Sequence, residues 1–256
     1  MNGLELTNTG TTRIPKQSGL LIQAADAGVL HQIQVSDLYI HDVNGSLVKK
    51  EGGGMGIEIR NGGKVTKSCF NGLVVENCHI VRTERNGIIF NSDYWSRDKW
   101  FPNLDVVVRK CLLEEVPGDG IVPIGCEGAL VEYNIMRSCT RLLPDGEAAA
   151  GIWPWSSDHT LIQYNEVSIT GPVTNTLISD NVFVVPKKPF GSDLNLVKMD
   201  TWGGKWPSNT TLSGNTFYVT DSANISLGKD INTVFHQNFY VGKISNVPDK
   251  PGLLQK

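Results

Sequence analysis

The sequence predicts an all-β protein, a single-stranded right-handed parallel β-helix in which short strands and turns wind into a solenoid. A recurring six-residue unit is the first sign, and fixed periods of this kind outrank local propensity. Each copy alternates two apolar residues, adds one or two polar residues and an Asn or small residue, and closes on an apolar pair. The unit reads VSDLYI at 35–40, VENCHI at 75–80, VRKCLL at 108–113 and VEYNIM at 131–136. It continues as IQYNEV at 162–167, ISDNVF at 178–183, LSGNTF at 212–217 and FHQNFY at 235–240. Aligned, the copies put Leu38, Cys78, Cys111, Asn134, Asn165, Asn181, Asn215 and Asn238 in one column. Stacked strands lie about 4.8 Å apart, so this column is expected to pass amide hydrogen bonds from rung to rung inside the core.

A second unit marks another face. It reads GIEIR at 56–60, GIIFN at 87–91, GIVPI at 120–124 and GIWPW at 151–155, with the leading glycines 31, 33 and 31 residues apart. Those intervals lie within the about 20–45 residues of solenoid repeats. Each rung therefore holds at least two strands, and the glycines are expected to supply positive φ at a corner.

Not every interval is regular. Successive positions of the Asn column are separated by 40, 33, 23, 31, 16, 34 and 23 residues. The step of 16 from Asn165 to Asn181 looks too short for a full circuit, and LELTN at 4–8 looks like the second half of a rung. One domain over residues 1–256 is expected, truncated at its N-terminus and shortened near 166–175.

Composition narrows the function classes. The chain has 256 residues and a net charge of −3, with Lys and Arg scattered rather than gathered, so neither nucleic acid nor an anionic membrane is an expected partner. Apolar runs such as Val182–Val185 fall far short of the roughly 20 residues of a membrane span. The opening MNGLELTNTG has neither a basic nor an apolar segment of a secretory signal. Five cysteines, Cys69, Cys78, Cys111, Cys126 and Cys139, cannot all pair within the chain. They show no CxxC or zinc spacing and are expected to be buried free thiols. EGGGMG at 51–56 lacks the GK[ST] of a phosphate loop and reads as an ordinary loop. A monomer is expected.

The rungs GLVVENCHIVRTERNGIIF, LDVVVRKCLLEEVPGDGIVPI and AAGIWPWSSDHTLIQYNEVS resemble bacterial right-handed parallel β-helix repeat proteins of the pectate-lyase-like superfamily. The resemblance runs from about residue 4 to residue 243. It implies a polysaccharide or oligosaccharide partner and an extracellular or periplasmic location. It is less specific for reaction, because one solenoid architecture hosts several chemistries. Relatives usually continue after GIWPWSSDHTLIQYNEVS with further Asp- and Gly-rich rungs, whereas this chain passes directly to GPVTNTLISDN. If those rungs carried catalytic carboxylates, this chain would be impaired.

Polar and aromatic residues accumulate just beyond the second strand, rung after rung: Arg60, then Asn91, Asp93 and Trp95, then Glu127, then Trp153, Trp155, Asp158 and His159. Asp200 and Trp202 follow on a comparable turn. Sugars present an apolar face fringed by hydroxyls, which suits Trp interleaved with carboxylates. Glu127 and Asp158 share an offset of seven from their leading glycines. Stacked in register, their carboxyls would lie about 5 Å apart, near the separation of a retaining glycosidase pair. Asp119, in GDG, is the one acid of the column Met55, Asn86, Asp119, Ala150, and is either a general acid or a corner residue. Elimination from a uronate would need a cation and a base, roles open to Arg60, His159, Lys198 or Lys205. No cofactor is required, although Asp93, Glu127 and Asp158 offer oxygen ligands for Ca2+.

Two classes of function follow. One is a polysaccharide lyase or glycoside hydrolase using Asp119, Glu127, Asp158 and His159 as catalytic groups, with Arg60, Asn91, Asp93, Trp95, Trp153, Trp155, Asp200 and Trp202 binding substrate. The other is a non-catalytic glycan-binding, structural or adhesive module.

Overall fold

The computed structural model describes residues 1–139, 149–165, 169–170, 173–185, 195–198, 208–228 and 232–248. Among the described residues five sheets run along the solenoid: four are named here A to D in the order an early rung visits them, and a fifth, in the late rungs, joins Ile169–Thr170, Asn195–Lys198, Thr216–Ser226 and Val182–Val185, with Phe239–Ser245 paired to Thr216–Ser226. Sheet A holds Ser18–Ala25, Met55–Gly62, Ile88–Ser92 and Ile121–Pro123. Sheet B holds Val29–His31, Cys69–Asn71, Asn103–Leu104, Cys126–Glu127, Ser157–Asp158 and Val173–Thr174. Sheet C is the longest, with eight strands from Gln34–Ser36 to Val234–His236. Sheet D holds Glu5–Asn8, Tyr39–Val43, His79–Thr83, Leu112–Glu114 and Ile135–Arg137. Neighbouring strands pair in parallel and in register, as Val107–Arg109 does with Val74–Glu76 and Leu130–Glu132. The all-β solenoid is thereby established.

Strand alternation decides what lies inside. Val35, Val75, Val108, Val131, Ile162, Ile178 and Leu212, the middle residues of successive sheet C strands, are all buried. Ile57, Ile59, Ile88, Phe90, Ile121 and Ile152 fill the core from sheet A. Burying each such side chain contributes about 1.5–3 kcal/mol. Farther along, Phe183, Phe217 and Tyr240 stack with centroids 4.7 and 5.3 Å apart.

The bend that follows each sheet C strand needs one residue in the left-handed region. It is Asp37, Asn77, Lys110, Tyr133, Tyr164, Asp180, Gly214 or Gln237 in successive rungs, each with φ between 52° and 66°. The next residue points inward and forms the predicted column. Asn165 Oδ1 accepts from Asn134 N and Nδ2, both at 2.9 Å, and Asn181, Asn215 and Asn238 repeat the pattern. Cys111 N donates to Asn134 Oδ1 at 3.0 Å and so joins the thiol half of the column to the amide half.

Two expectations are revised. Most corner residues with positive φ carry side chains, and Gly56, Gly87 and Gly120 are not among the positive-φ glycines. They are small because the next rung presses on them: a Cβ would lie 2.8 Å from Gly87 O at Gly56, 2.6 Å from Gly120 O at Gly87, and 2.4 Å from Gly151 O at Gly120. The 16-residue interval is also sufficient. Leu161–Gln163 pairs in register with Leu177–Ser179, and Ser157–Asp158 with Val173–Thr174. Residues 166–168 and 171–172 of that interval lie outside the described ones. LELTN does supply a sheet D strand, Glu5–Asn8, paired with Tyr39–Val43.

Five cysteines are free, four of them buried and Cys139 partly so. Burial pushes the Cys126 thiol far up and the Cys139 thiol up to about 11. Cys111 is raised chiefly by its hydrogen bond with Cys78, then by burial.

Candidate functional site

The outward face of sheet A carries two columns. Leu21, Glu58, Ile89 and Val122 form one, and Gln23, Arg60 and Asn91 begin the other. Bridges from Ile121 to Ile152 and from Ile124 to Trp155 carry the sheet on, so Trp153 and Trp155 occupy the same outward face. An outward face normally meets water, yet Glu58, Ile89, Val122, Ile124 and Trp153 are 0–8% exposed. Met55, Ile89, Val122, Ile124, Ala150 and Trp153 make an apolar cluster separate from the interior core, with Trp155 packed against it.

A loop covers part of this face. Residues 93–102 leave sheet A after Ser92 and reach across the next rung to the one beyond. Tyr94 anchors the base, edge-on to Phe101 with centroids 5.7 Å apart. At the tip, Arg97 Nη1 and Nη2 donate to Asp158 Oδ2 and Oδ1 at 2.5 and 2.8 Å. Trp95 stacks on Trp155 at 4.9 Å, and Trp155 on Trp153 at 5.8 Å. Ser156 Oγ donates to Trp95 O. The rung beneath yields space through Gly125, where a Cβ would lie 2.8 Å from Ser92 Cβ. Lys49 Nζ sits 4.2 Å from the centroid of Trp153, a cation–π approach.

Beyond the loop tip lie the paired acids. Glu127 and Asp158 are register partners on adjacent sheet B strands, which places their backbones about 4.8 Å apart. Neither simply caps a turn. Glu127 Oε1 lies 2.5 Å from His159 Nδ1, and Asp158 receives the guanidinium of Arg97. His159 holds the corner after sheet B with φ 49°, and its side chain is well exposed.

The remaining candidates divide. Arg60 and Asn91 both turn to Glu58, whose Oε1 accepts from Arg60 Nε at 2.7 Å and Asn91 Nδ2 at 2.8 Å, while Oε2 accepts from Ser18 Oγ at 2.7 Å. Asp93 is exposed and lies against Gly62. Asp119 stands apart from the acid pair. Its N donates to Asn86 Oδ1 and its Oδ1 accepts from Ala150 N, at 2.9 and 2.8 Å, so it extends a corner ladder. It is 2% exposed, and five residues of extended chain, about 16 Å, separate it from Ile124 at the other end of the strand. Asp200, Trp202 and Lys205 lie outside the described residues, as does the side chain of Lys198. Among the described residues no three His, Cys, Asp or Glu side chains gather as metal ligands. No described helix is long and apolar enough to cross a membrane.

Glu58, Lys49 and Arg97 were missed. An alternating strand assigns Glu58 to solvent, and only its apolar column neighbours Ile89 and Val122 hint that this face is covered. Lys49 and Arg97 lie in loops without periodicity, where spacing gives no signal.

Fold and site together define a parallel β-solenoid with a tryptophan-lined outer face and an adjoining pair of in-register acids. No family model matches the chain. It is 22% identical over 189 residues to a lacto-N-biosidase of Bifidobacterium longum subsp. longum, covering 59% of this chain and 12% of that protein. Among solved structures it is similar to the native GH136 lacto-N-biosidase from Eubacterium ramulus, with TM-score 0.63 and 21% identity, over 92% of this chain and 48% of that one. The selenomethionine derivative of that enzyme gives TM-score 0.56 over 95% and 48%, again at 21% identity. The chain thus spans about half the length of the solved relatives and about an eighth of the curated one.

Proposed function

We propose that the chain is the glycan-binding and glycan-cleaving part of a glycoside hydrolase acting on oligosaccharides outside the cytoplasm. The observation that carries this reading is the run of Trp153, Trp155 and Trp95 leading to the in-register acids Glu127 and Asp158. Similarity to lacto-N-biosidases supports hydrolysis over elimination. Sugar rings pack their apolar faces on indole. The acids then flank the bond to be cleaved.

In this reading Glu127 moves the proton. It is partly exposed, and His159 both orients it and exchanges the proton with it. Asp158 is fixed by the two-pronged Arg97 and supplies negative charge to the oxocarbenium-like transition state. Backbones one strand spacing apart support the close, retaining arrangement of carboxyls over inversion, which needs roughly 6.5–9.5 Å between the carboxyls to admit water. Asp119 drops from this assignment to a structural corner role.

Purified protein assayed on neutral and acidic oligosaccharides should release reducing ends without an unsaturated product. Glu127→Gln should lower kcat by about 10²–10⁴-fold, the usual contribution of a positioned acid or base, while leaving thermal unfolding unchanged. Full turnover in Glu127→Gln would remove the site assignment, and unsaturated product would replace hydrolysis by elimination.

A further inference from the structure

Glu58 is a carboxylate in an apolar place. It stands in the outward column of sheet A between Leu21 and Ile89, yet it is 2% exposed. A buried carboxylate is costly unless donors surround it. Here three do: Ser18 Oγ on Oε2, and Arg60 Nε and Asn91 Nδ2 on Oε1, at 2.7, 2.7 and 2.8 Å. Exchanging such a group for a hydrocarbon often leaves stability unchanged or raised, so stability alone does not account for Glu58. What it holds in place does.

The Arg60 side chain is 44% exposed. Its Nε is committed to Glu58, and its Nη1 and Nη2 have no hydrogen-bond partner among the described residues. Acceptors flank them. Asn91 is the register partner of Arg60 on the next rung, one strand spacing of about 4.8 Å away. It is half-buried, its Nδ2 is held by Glu58, and its Oδ1 is unbonded among the described residues. Asp93 is exposed and lies across Gly62, where a Cβ would collide with Asp93 Oδ2. Gly62 follows Arg60 by two residues on the same face, about 6.6 Å along the strand. The absent side chain at Gly62 is therefore what lets the Asp93 carboxylate lie beside Arg60.

Unused donors and unused acceptors on one patch restrict the ligand. A simple anion accepts from Arg60 but has no hydrogen to give Asn91 Oδ1, and it meets the Asp93 carboxylate. Neighbouring hydroxyls of a sugar ring do both, one accepting from Arg60 while the next donates to Asn91 or Asp93. The patch is distinct from the tryptophan stack: Arg60, Asn91, Ile124 and Trp155 follow one another up a single column, so Arg60 and Trp155 are three strand spacings apart, about 14 Å.

We propose that Arg60, Asn91 and Asp93 form a second sugar-binding site on the outward face of sheet A, recognising adjacent ring hydroxyls. Glu58 is its positioning residue: it touches no ligand, and it fixes the guanidinium in advance so that binding need not order it. The site does not depend on whether the acid pair cleaves a glycan.

Nitrogen-15 NMR of the whole chain reads the site directly through the Arg60 Nε–H and Asn91 Nδ2 signals. Titration with lactose or maltose should shift both saturably, in the parent and in Trp155→Ala alike, whereas acetate and phosphate should neither shift them nor displace the sugar. Arg60→Gln and Asp93→Ala, followed at Asn91, should each weaken binding about tenfold, the loss of one hydrogen bond to a charged group. Asp93 is exposed and its carboxylate has no partner among the described residues, so Asp93→Ala keeps the fold. Glu58→Leu matches its column neighbours Leu21 and Ile89. It should weaken sugar binding as Arg60→Gln does without lowering Tm, and should remove the slowly exchanging Arg60 Nε–H signal. No saturable shift with either sugar, displacement by acetate or phosphate, or parental affinity in both Arg60→Gln and Asp93→Ala would overturn the site. Parental affinity in Glu58→Leu would overturn the positioning role.

Discussion

Asn165 shows how much one buried amide does in a solenoid. Its Oδ1 serves Asn134 N and Nδ2, and its own Nδ2 reaches Val131 O and Gln163 O at 2.8 Å. Asn165→Ala would orphan those donors inside the core, at about 1–3 kcal/mol per unsatisfied group, and should lower the urea midpoint of unfolding measurably. An unchanged midpoint would mean the ladder is ornamental. His41 offers a test by pH. Its Nδ1 lies 2.6 Å from Asp42 and its Nε2 2.9 Å from Glu5, and these bonds, Asp42's first, raise its pKa above the ordinary 6.5. His41 therefore adds stability fully present below that ordinary value and lost as pH rises through the raised one. Asp42 runs the other way: Arg82 first, then His41, hold its carboxyl well below 3.8, so its contribution is present above 3.8 and lost as pH falls. Tm should thus decline on the alkaline side in the parent, and His41→Gln should flatten that decline. A slope unchanged in His41→Gln would exclude His41 as its source.

At the level of elements, the 93–102 loop decides whether the tryptophan face exists. Gly125 has φ 63° and lies under the loop, so Gly125→Val meets two obstacles at once. A side chain in the left-handed region costs about 1–2 kcal/mol, and its Cβ would collide with Ser92. The variant should shift the near-ultraviolet dichroism of the Trp95–Trp155 stack and weaken oligosaccharide affinity, with the parent spectrum retained if the loop does not depend on this glycine. The same element marks where sequence reading stops. Leu38 through Asn238 could be aligned because the buried column repeats a local pattern set by one bend, and the Glu127–Asp158 register followed from equal offsets after Gly120 and Gly151. Glu58 and Arg97 could not be found this way. Glu58 is buried by segments from outside its own strand, and Arg97 reaches 61 residues along the chain to Asp158. The leading glycines were located correctly and explained wrongly, since periodicity reports position and not whether φ or the next rung's carbonyl demands the small residue.

For the whole molecule, each rung touches chiefly its neighbours, so stability is approximately a sum of rungs and interfaces, and a local defect need not spread. The two ends are held differently. Sheet A occupies the earlier rungs and its face ends at Trp153 and Trp155 in the rung of Asn165, whereas the amide ladder begins at Asn134 and runs on to Asn238. Asn215 is the link next to the far end of that ladder, with Oδ1 accepting from Asn181 N and Nδ2 at 3.0 and 2.9 Å and Nδ2 donating to Asn238 Oδ1 at 2.9 Å. Replacing it by Ala should therefore weaken the late rungs without loosening the early ones. Hydrogen exchange followed by mass spectrometry reads this directly: peptides over Thr211–Ser213 and Thr216–Ser226 should lose protection, while those over Met55–Gly62 and Ile88–Ser92 keep theirs. Equal loss along the whole chain would show instead that the solenoid unfolds as one cooperative unit, and the tryptophan face would then depend on an amide two rungs away.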